Sequence, residues 1–262
     1  MNDSFINNNS YLRILSSLVL ISIALYGIFI NDNFLVLTLC IVVFLITYEW
    51  VTITEDINSA ILKFTKSLFN VIIFMLSILS IQFSILFFII IFILNIFSKN
   101  SSRKSKSFIL FGPIYLCLPF IYLYEIKHFN NGIDIIIWFL LIVWTTDTFS
   151  YICGKFIGGK KLWPLLSPNK TWSGFLLGIF FGVIVSLVCF YIKEYSIYKG
   201  IYFGLVLSFT TQFGDLLESW IKRKHLIKDS GRILPGHGGL LDRLDGLMIS
   251  SLFLYNGSII YG

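Results

Sequence analysis

Charged side chains are scarce in this sequence. Lys, Arg, Asp and Glu make up 13% of its 262 residues, where a soluble domain carries about a quarter. That deficit excludes an ordinary water-soluble globule. Paired cysteines are also missing. Cys40, Cys117, Cys153 and Cys189 lie singly in or beside apolar runs, with no CxxC and no histidine at zinc spacing. A disulfide framework and a zinc ribbon are therefore excluded. The four read as small apolar side chains. No internal repeat is visible, and no cleavable signal peptide is expected. "RILSSLVLISIALYGIFI" has a basic flank at Arg13 but runs long and lacks a clear small-residue cleavage site. It reads as a first spanning helix.

What the chain has in excess is hydrocarbon. Apolar residues make up 56% of it, and mean hydropathy is +0.84. Long apolar runs recur throughout, so the expected class is an all-α polytopic integral membrane protein. One membrane domain, 1–262, is expected, with an N-terminal multi-span region at 1–106 and a catalytic region at 107–262. Runs long enough to span a bilayer lie at 11–30, 34–53, 107–124, 133–153, 172–192, 200–221 and 246–261. The run 67–97 is too long for one comfortable crossing. The basic segment "SKNSSRKSK" (98–106) and the segment 54–66 with Lys63 and Lys66 both read as cytoplasmic loops, because Lys and Arg accumulate on that side. Two short helices broken near Ser80–Ser84 satisfy both loops and give nine spans, with eight as the alternative. Loops 154–171 and 222–245 then fall on the cytoplasmic face. The net charge of +6 resides mostly in such loops and does not suggest nucleic acid. It suits acidic lipid headgroups or phosphates.

Against this background, one stretch is dense in polar groups. Residues 228–246 read "KDSGRILPGHGGLLDRLDG", with five glycines and a proline. Asp242 and Asp245 are three apart and share a helix face if a helix starts near Leu240. Two carboxylates that close repel unless a cation lies between them. Hard oxygen ligands suit magnesium, although a solvated acidic helix edge would show the same spacing. Two more carboxylates, Asp147 and Asp215, sit at the end of and inside apolar runs. Ionisable residues there are costly and point to function, the plainer reading of Asp147 being a helix end touching water.

Basic groups accompany these acids. Lys222 and Arg223 close an apolar run, and Lys228, Arg232 and Arg243 follow. The segment "GKFIGGKKLWPLLSPNKTWSG" offers Ser167, Lys170 and Thr171 just before another apolar run. A helix start there would present free N–H groups to an anion, and glycine lets backbone approach phosphate closely. Positive-inside loop chemistry explains the lysines alone. It does not explain the glycines or the acids. Together these groups suggest a nucleotide–magnesium complex. "GKFIGGKK" is not a Walker A loop, because Lys161 stands where Ser or Thr is needed to bind magnesium. His237 lies between glycines, either donating to a phosphate or holding a turn.

The stretch "SWIKRKHLIKDSGRILPGHGGLLDRLD" (219–245) resembles the signature of phosphatidate cytidylyltransferases. The match runs through Ser219, Lys222, Arg223, Lys228, Asp229, Pro235, Gly236, His237, Gly238, Gly239, Asp242, Arg243 and Asp245. "DTFSYICGKFIG" (147–158), "SPNKTWSG" (167–174) and "GDLLES" (214–219) resemble the family as well. Ser173 replaces a common Glu and Phe149 a common small residue. The resemblance implies that CTP and phosphatidic acid, within membrane lipid, give CDP-diacylglycerol and pyrophosphate with magnesium, and it suggests a homodimer. Metal stoichiometry and a second, monovalent cation stay open. Asp215, Asp242 and Asp245 would hold the metal, with Asp147 contributing. Lys222, Arg223, Lys228 and Arg243 would face phosphates, with Asp229 and Ser219 beside them. Ser167, Lys170 and Thr171 would form a second phosphate-binding edge, and His237, Gly238 and Gly239 would shape the loop against the nucleotide. A relative using another lipid phosphate, and a cation-coupled transporter, are the alternatives.

Overall fold

The computed structural model describes residues 22–29, 31–55, 59–80, 82, 85–86, 88–90, 93, 106–231, 233 and 238–261. Their long helices are α1 (Asp32–Thr54), α2 (Ala60–Leu79), α3 (Lys106–Lys127), α4 (Gly132–Phe156), α5 (Trp172–Ile192), α6 (Ile197–Lys224) and α7 (Leu241–Tyr261). Between α4 and α5 lies a hairpin of β1 (Lys161–Trp163) and β2 (Ser167–Thr171). Five helices among the described residues are long and apolar enough to cross a membrane: α1, α2, Ser107–Lys127 of α3, α4 and α5. The chain is a mostly helical integral membrane protein.

The chain divides into two compact units. The first takes the described residues up to Tyr124 together with Ile227–Arg243. Asn31 caps α1, its Oδ1 accepting from Asn33 N at 2.9 Å and Phe34 N at 3.3 Å. The core of the unit gathers Val43, Ile46, Ile73, Phe74, Leu116 and Cys117, all fully buried. Several polar groups inside it are paired, which offsets the cost of burying them in an apolar medium. Asn70 Nδ2 donates to Thr47 Oγ1 at 3.0 Å, and Trp50 Nε1 donates to the carbonyl of Phe108 at 3.3 Å.

The expected break near Ser80 is present, where α2 ends with an extended Ser80. The start of α2 is a correction, because the segment 54–66 was expected to be a loop. It is helical from Ala60, with Ser59 accepting from Leu62 N as N-cap. Lys66, counted as loop charge, lies within the helix and pairs with Glu55. The second short helix expected in 81–97 falls mostly outside the described residues, as do 98–105 and most of 11–30.

The second unit takes Glu125–Leu226 and the residues from Leu244 onward. Its organising feature is a stripe of small residues on α5. Gly174, Gly178, Gly182 and Ser186, four apart, are buried. Leu176, Phe180, Ile184 and Val188, on another face, are exposed. Small residues let membrane helices approach closely. A Cβ on Gly178 would sit 2.9 Å from the Thr146 carbonyl of α4, and one on Gly182 would sit 2.0 Å from Ser208 Oγ of α6. Thr146 Oγ1 and Ser208 Oγ then hydrogen-bond at 3.0 Å. Trp138, Phe190 and Phe203 close the same packing further along, with ring centroids 5.0–6.1 Å apart.

The hairpin replaces part of the expected loop 154–171. Gly158 and Gly159 take positive φ of 65° and 100°, a turn that glycine adopts without steric penalty. The chain folds back with Lys161 opposite Thr171 and Trp163 opposite Ser167. Pro168 fits β2 because a two-stranded sheet has only edges.

Candidate functional site

The second unit brings separate polar motifs together through two glycines. Gly214 of α6 would place a Cβ 2.5 Å from the Asp245 carbonyl, and Gly246 of α7 would place one 2.8 Å from Thr211 Cγ2. The two helices cross where neither has a side chain. The residues next to these glycines are Asp215 and Asp245, and the crossing sets their carboxyl groups against each other. Gly246 N also donates to Asp245 Oδ1 at 2.8 Å.

Two further elements reach this point. The hairpin brings Lys170, whose Nζ pairs with Asp215 Oδ2 at 2.9 Å, both side chains being 24% exposed. Its neighbour Thr171 is buried and caps α5, accepting from Gly174 N at 3.2 Å. Ser173, standing where relatives of the signature often carry Glu, donates to the carbonyl of Gly158 and lies 3.0 Å from Thr171 Oγ1. It therefore ties the turn after α4 to the start of α5. Helix α4 contributes Asp147, which interacts with both Asp215 and Lys170. Its Oδ1 is buried with no hydrogen-bond partner among the described residues. Phe149, the other departure from the signature, stacks on Phe181 at 3.9 Å.

Glu218 completes the cluster, and the sequence reading missed it. It lies one turn after Asp215 on α6, against Asp245, and pairs with Lys222 at 3.2 Å. Its side chain is 1% exposed and that of Lys222 12%. The three-residue spacing that singled out Asp242 and Asp245 also links Asp215 to Glu218 and would have found it.

Asp147, Asp215, Glu218 and Asp245 face Lys170 and Lys222. Four carboxyl groups against two ammonium groups make the cluster rich in acid, which suits a divalent cation. Among the described residues no three His, Cys, Asp or Glu side chains close into a ready-made metal cage. Magnesium is commonly held by one or two carboxylates plus substrate phosphates. The hard oxygens of Asp215, Glu218 and Asp245, with the unpartnered Asp147 Oδ1, fit that style of binding.

The first unit holds the glycine-rich part of the signature. Asp242 Oδ2 accepts from Ser230 N at 2.9 Å and Gly239 N at 3.0 Å. Glu49 of α1, 2% exposed, accepts from Leu240 N at 3.0 Å, Leu241 N at 2.8 Å and Ser230 Oγ at 3.0 Å. Gly238 has φ of 89°. Glu49 is a second residue the sequence reading passed over. It is an acid within an apolar run, the signal that singled out Asp215.

The remaining candidates are placed as follows. Ser167 and Ser219 are half-buried, and so is Arg223 in the last turn of α6. Lys228, Asp229 and Arg243 are exposed. Arg232 and His237 lie outside the described residues.

Comparison with known proteins bears on the family of the chain. Residues 11–258 match the sequence profile of the cytidylyltransferase family. A Staphylococcus aureus (strain COL) protein named phosphatidate cytidylyltransferase is 45% identical over 156 residues, covering 58% of this chain and 59% of that one. Proteins of the same name from Staphylococcus saprophyticus and Staphylococcus haemolyticus are 44% and 42% identical over the same shares. The chain thus spans 59% of the length of the curated relatives it matches.

Proposed function

Because this chain belongs to the cytidylyltransferase family, we propose that it transfers the cytidylyl group of CTP to phosphatidic acid, giving CDP-diacylglycerol and pyrophosphate. The observation that carries the reading is the cluster of Asp147, Lys170, Asp215, Glu218, Lys222 and Asp245, drawn from α4, β2, α6 and α7. Relatives bearing the name of this activity support it.

The chemistry follows from charge. A phosphate oxygen of the lipid attacks the α-phosphorus of CTP, forming one P–O bond. The bond from that phosphorus to the bridging oxygen breaks, and pyrophosphate leaves with the electron pair. Both reactants are anions and repel. Alignment and charge neutralisation are therefore the main tasks, and no protein nucleophile is needed. Lys170 and Lys222 supply positive charge at the cluster, and Arg223 adds to it from the end of α6. Asp215, Glu218 and Asp245 would hold magnesium, which when bound offsets phosphate charge. Gly238, with its positive φ, would let the signature backbone come close to an anion.

A diacyl lipid stays in the bilayer, at about 0.8 kcal/mol per buried CH₂, while CTP stays in water. We therefore place the reaction at the membrane surface. The helix end at Ser80 and the basic segment 98–106 support nine spans, the bacterial relatives support an inner membrane, and loop charge supports 154–171 and 222–245 in the cytoplasm. In a cysteine-free background, a cysteine replacing exposed Leu165 should react only with reagent on the cytoplasmic side, and one replacing exposed Tyr198 only from the other side. Labelling of Leu165→Cys from outside would overturn this orientation.

The activity is tested with purified protein, radiolabelled CTP and a panel of lipid phosphates. CDP-diacylglycerol from dipalmitoyl phosphatidate is expected. Product from a polyprenyl phosphate alone would shift the reading to another lipid substrate. Ion flux in proteoliposomes without CTP consumption would shift it to a transporter.

A further inference from the structure

The signature loop in the first unit is built around a carboxylate that lies far from it in sequence. Glu49 sits on α1, and its two oxygens accept from Leu240 N, Leu241 N and Ser230 Oγ. The first N–H groups of a helix have no partner within it. Here Glu49 meets those at the start of α7, where a negative charge is also favoured by the helix dipole. A carboxylate in apolar surroundings is costly unless fully hydrogen-bonded, so the contact holds both partners in place.

Two glycines of the loop show how closely Glu49 is fitted. A Cβ on Gly231 would lie 2.5 Å from Glu49 Oε1, 2.9 Å from its Cδ and 3.1 Å from its Cγ. A Cβ on Gly239 would lie 2.7 Å from Glu49 Oε2 and 1.8 Å from Ser230 Oγ. The three atoms nearest a Cβ at 231 thus all belong to Glu49, and a Cβ at 239 would meet Ser230 Oγ, Glu49 Oε2 and, at 2.7 Å, Gly231 N. Asp242 Oδ2 takes the amides of Ser230 and Gly239, next to those that Glu49 takes. Between them the two acids take the amides of Ser230, Gly239, Leu240 and Leu241, and Glu49 does so from α1.

We propose that Glu49 is a positioning residue for cytidylyl transfer, holding the backbone at Ser230 and at 239–241 in the conformation that receives a substrate phosphate. This rests on the activity proposed above. It assigns to an N-terminal helix a part in a site whose sequence signature lies wholly in the C-terminal half.

The test uses full-length protein in lipid nanodiscs, with two independent readouts. Glu49→Gln keeps the size but turns one acceptor into a donor facing N–H groups. Amide hydrogen exchange at Leu240 and Leu241 should accelerate, while thermal melting stays near that of the unsubstituted protein. CTP turnover should fall about 10²-fold, the cost of misplacing reacting groups by about 1 Å. Glu49→Asp should recover part of both. Unchanged exchange and turnover in Glu49→Gln would overturn the proposal, as would lost turnover with unchanged exchange.

Should Glu49→Gln fail to fold, Gly231→Ala provides the second test. It should impair the protein with Glu49 present and be relieved in a Glu49→Ala background, since the three atoms nearest that Cβ are all Glu49's. Additive losses would overturn the contact. If the unsubstituted protein transfers no cytidylyl group, the activity reading fails. In that case, exchange and the Gly231 pair still decide whether Glu49 anchors the loop.

Discussion

At the residue scale, the proposed site turns on the ion pair of Lys170 and Asp215. Each side chain is 24% exposed, and Nζ lies 2.9 Å from Oδ2. At that exposure solvent screens the pair, so its contribution to stability is modest, on the order of 1 kcal/mol. In the proposed reaction its value would lie in placement, with one ammonium group held beside the carboxyls for a substrate phosphate. Lys170→Met should therefore leave melting nearly unchanged. It should lower kcat/KM for CTP by roughly tenfold or more, about 1.4 kcal/mol of transition-state stabilisation. Lys170→Arg should retain much of that activity. A steady-state comparison of the three proteins checks this, and equal kcat/KM in all three would remove Lys170 from the site.

At the element scale, the site depends on how closely helices cross. Gly214 and Gly246 let α6 and α7 meet beside Asp215 and Asp245. Gly214→Ala must push the Asp245 backbone away from a contact of 2.5 Å. Overpacking of this kind costs about 1–3 kcal/mol. Both melting temperature and turnover should fall, whereas Leu176→Ala on the exposed face of α5 should change melting little. Thermal melts of the two variants separate the cases, and identical melts would contradict the crossing.

Much of this layout is legible in the sequence. The run 172–192 is a helix over Trp172–Ile192, and 133–153 lies within Gly132–Phe156, because unbroken apolar length is a strong signal for a spanning helix. The start of α2 was hidden because Lys63 and Lys66 read as loop charge, although Lys66 is tied to Glu55 at the beginning of a helix. The hairpin was hidden because Gly158 and Gly159 signal a turn without naming what pairs after it. In the site, Asp147 and Asp215 were legible as acids in apolar company, Asp245 by its spacing from Asp242, and Lys170 as a base near a helix start. Glu218 and Glu49 carry the same kinds of signal, spacing and burial respectively, but their partners Asp245, Leu240 and Leu241 are distant in sequence and only folding brings them near.

At the scale of the whole molecule, the apolar bulk and the polar knots divide the work. Bulky apolar faces such as Leu176, Phe180 and Val188 on α5 are exposed, as suits contact with lipid. The polar groups are gathered by glycine contacts within one unit and by Glu49 within the other. The central claim is that the carboxyl cluster of the second unit performs magnesium-dependent cytidylyl transfer. It is tested most directly by titrating magnesium in the phosphatidate assay on the unsubstituted protein and on Asp245→Asn. We expect turnover to vanish when magnesium is chelated and to return on its addition. Asp245→Asn, folded by its melting profile, should need far more magnesium and stay well below the unsubstituted rate. An Asp245→Asn protein with the same magnesium dependence and the same rate would contradict the account.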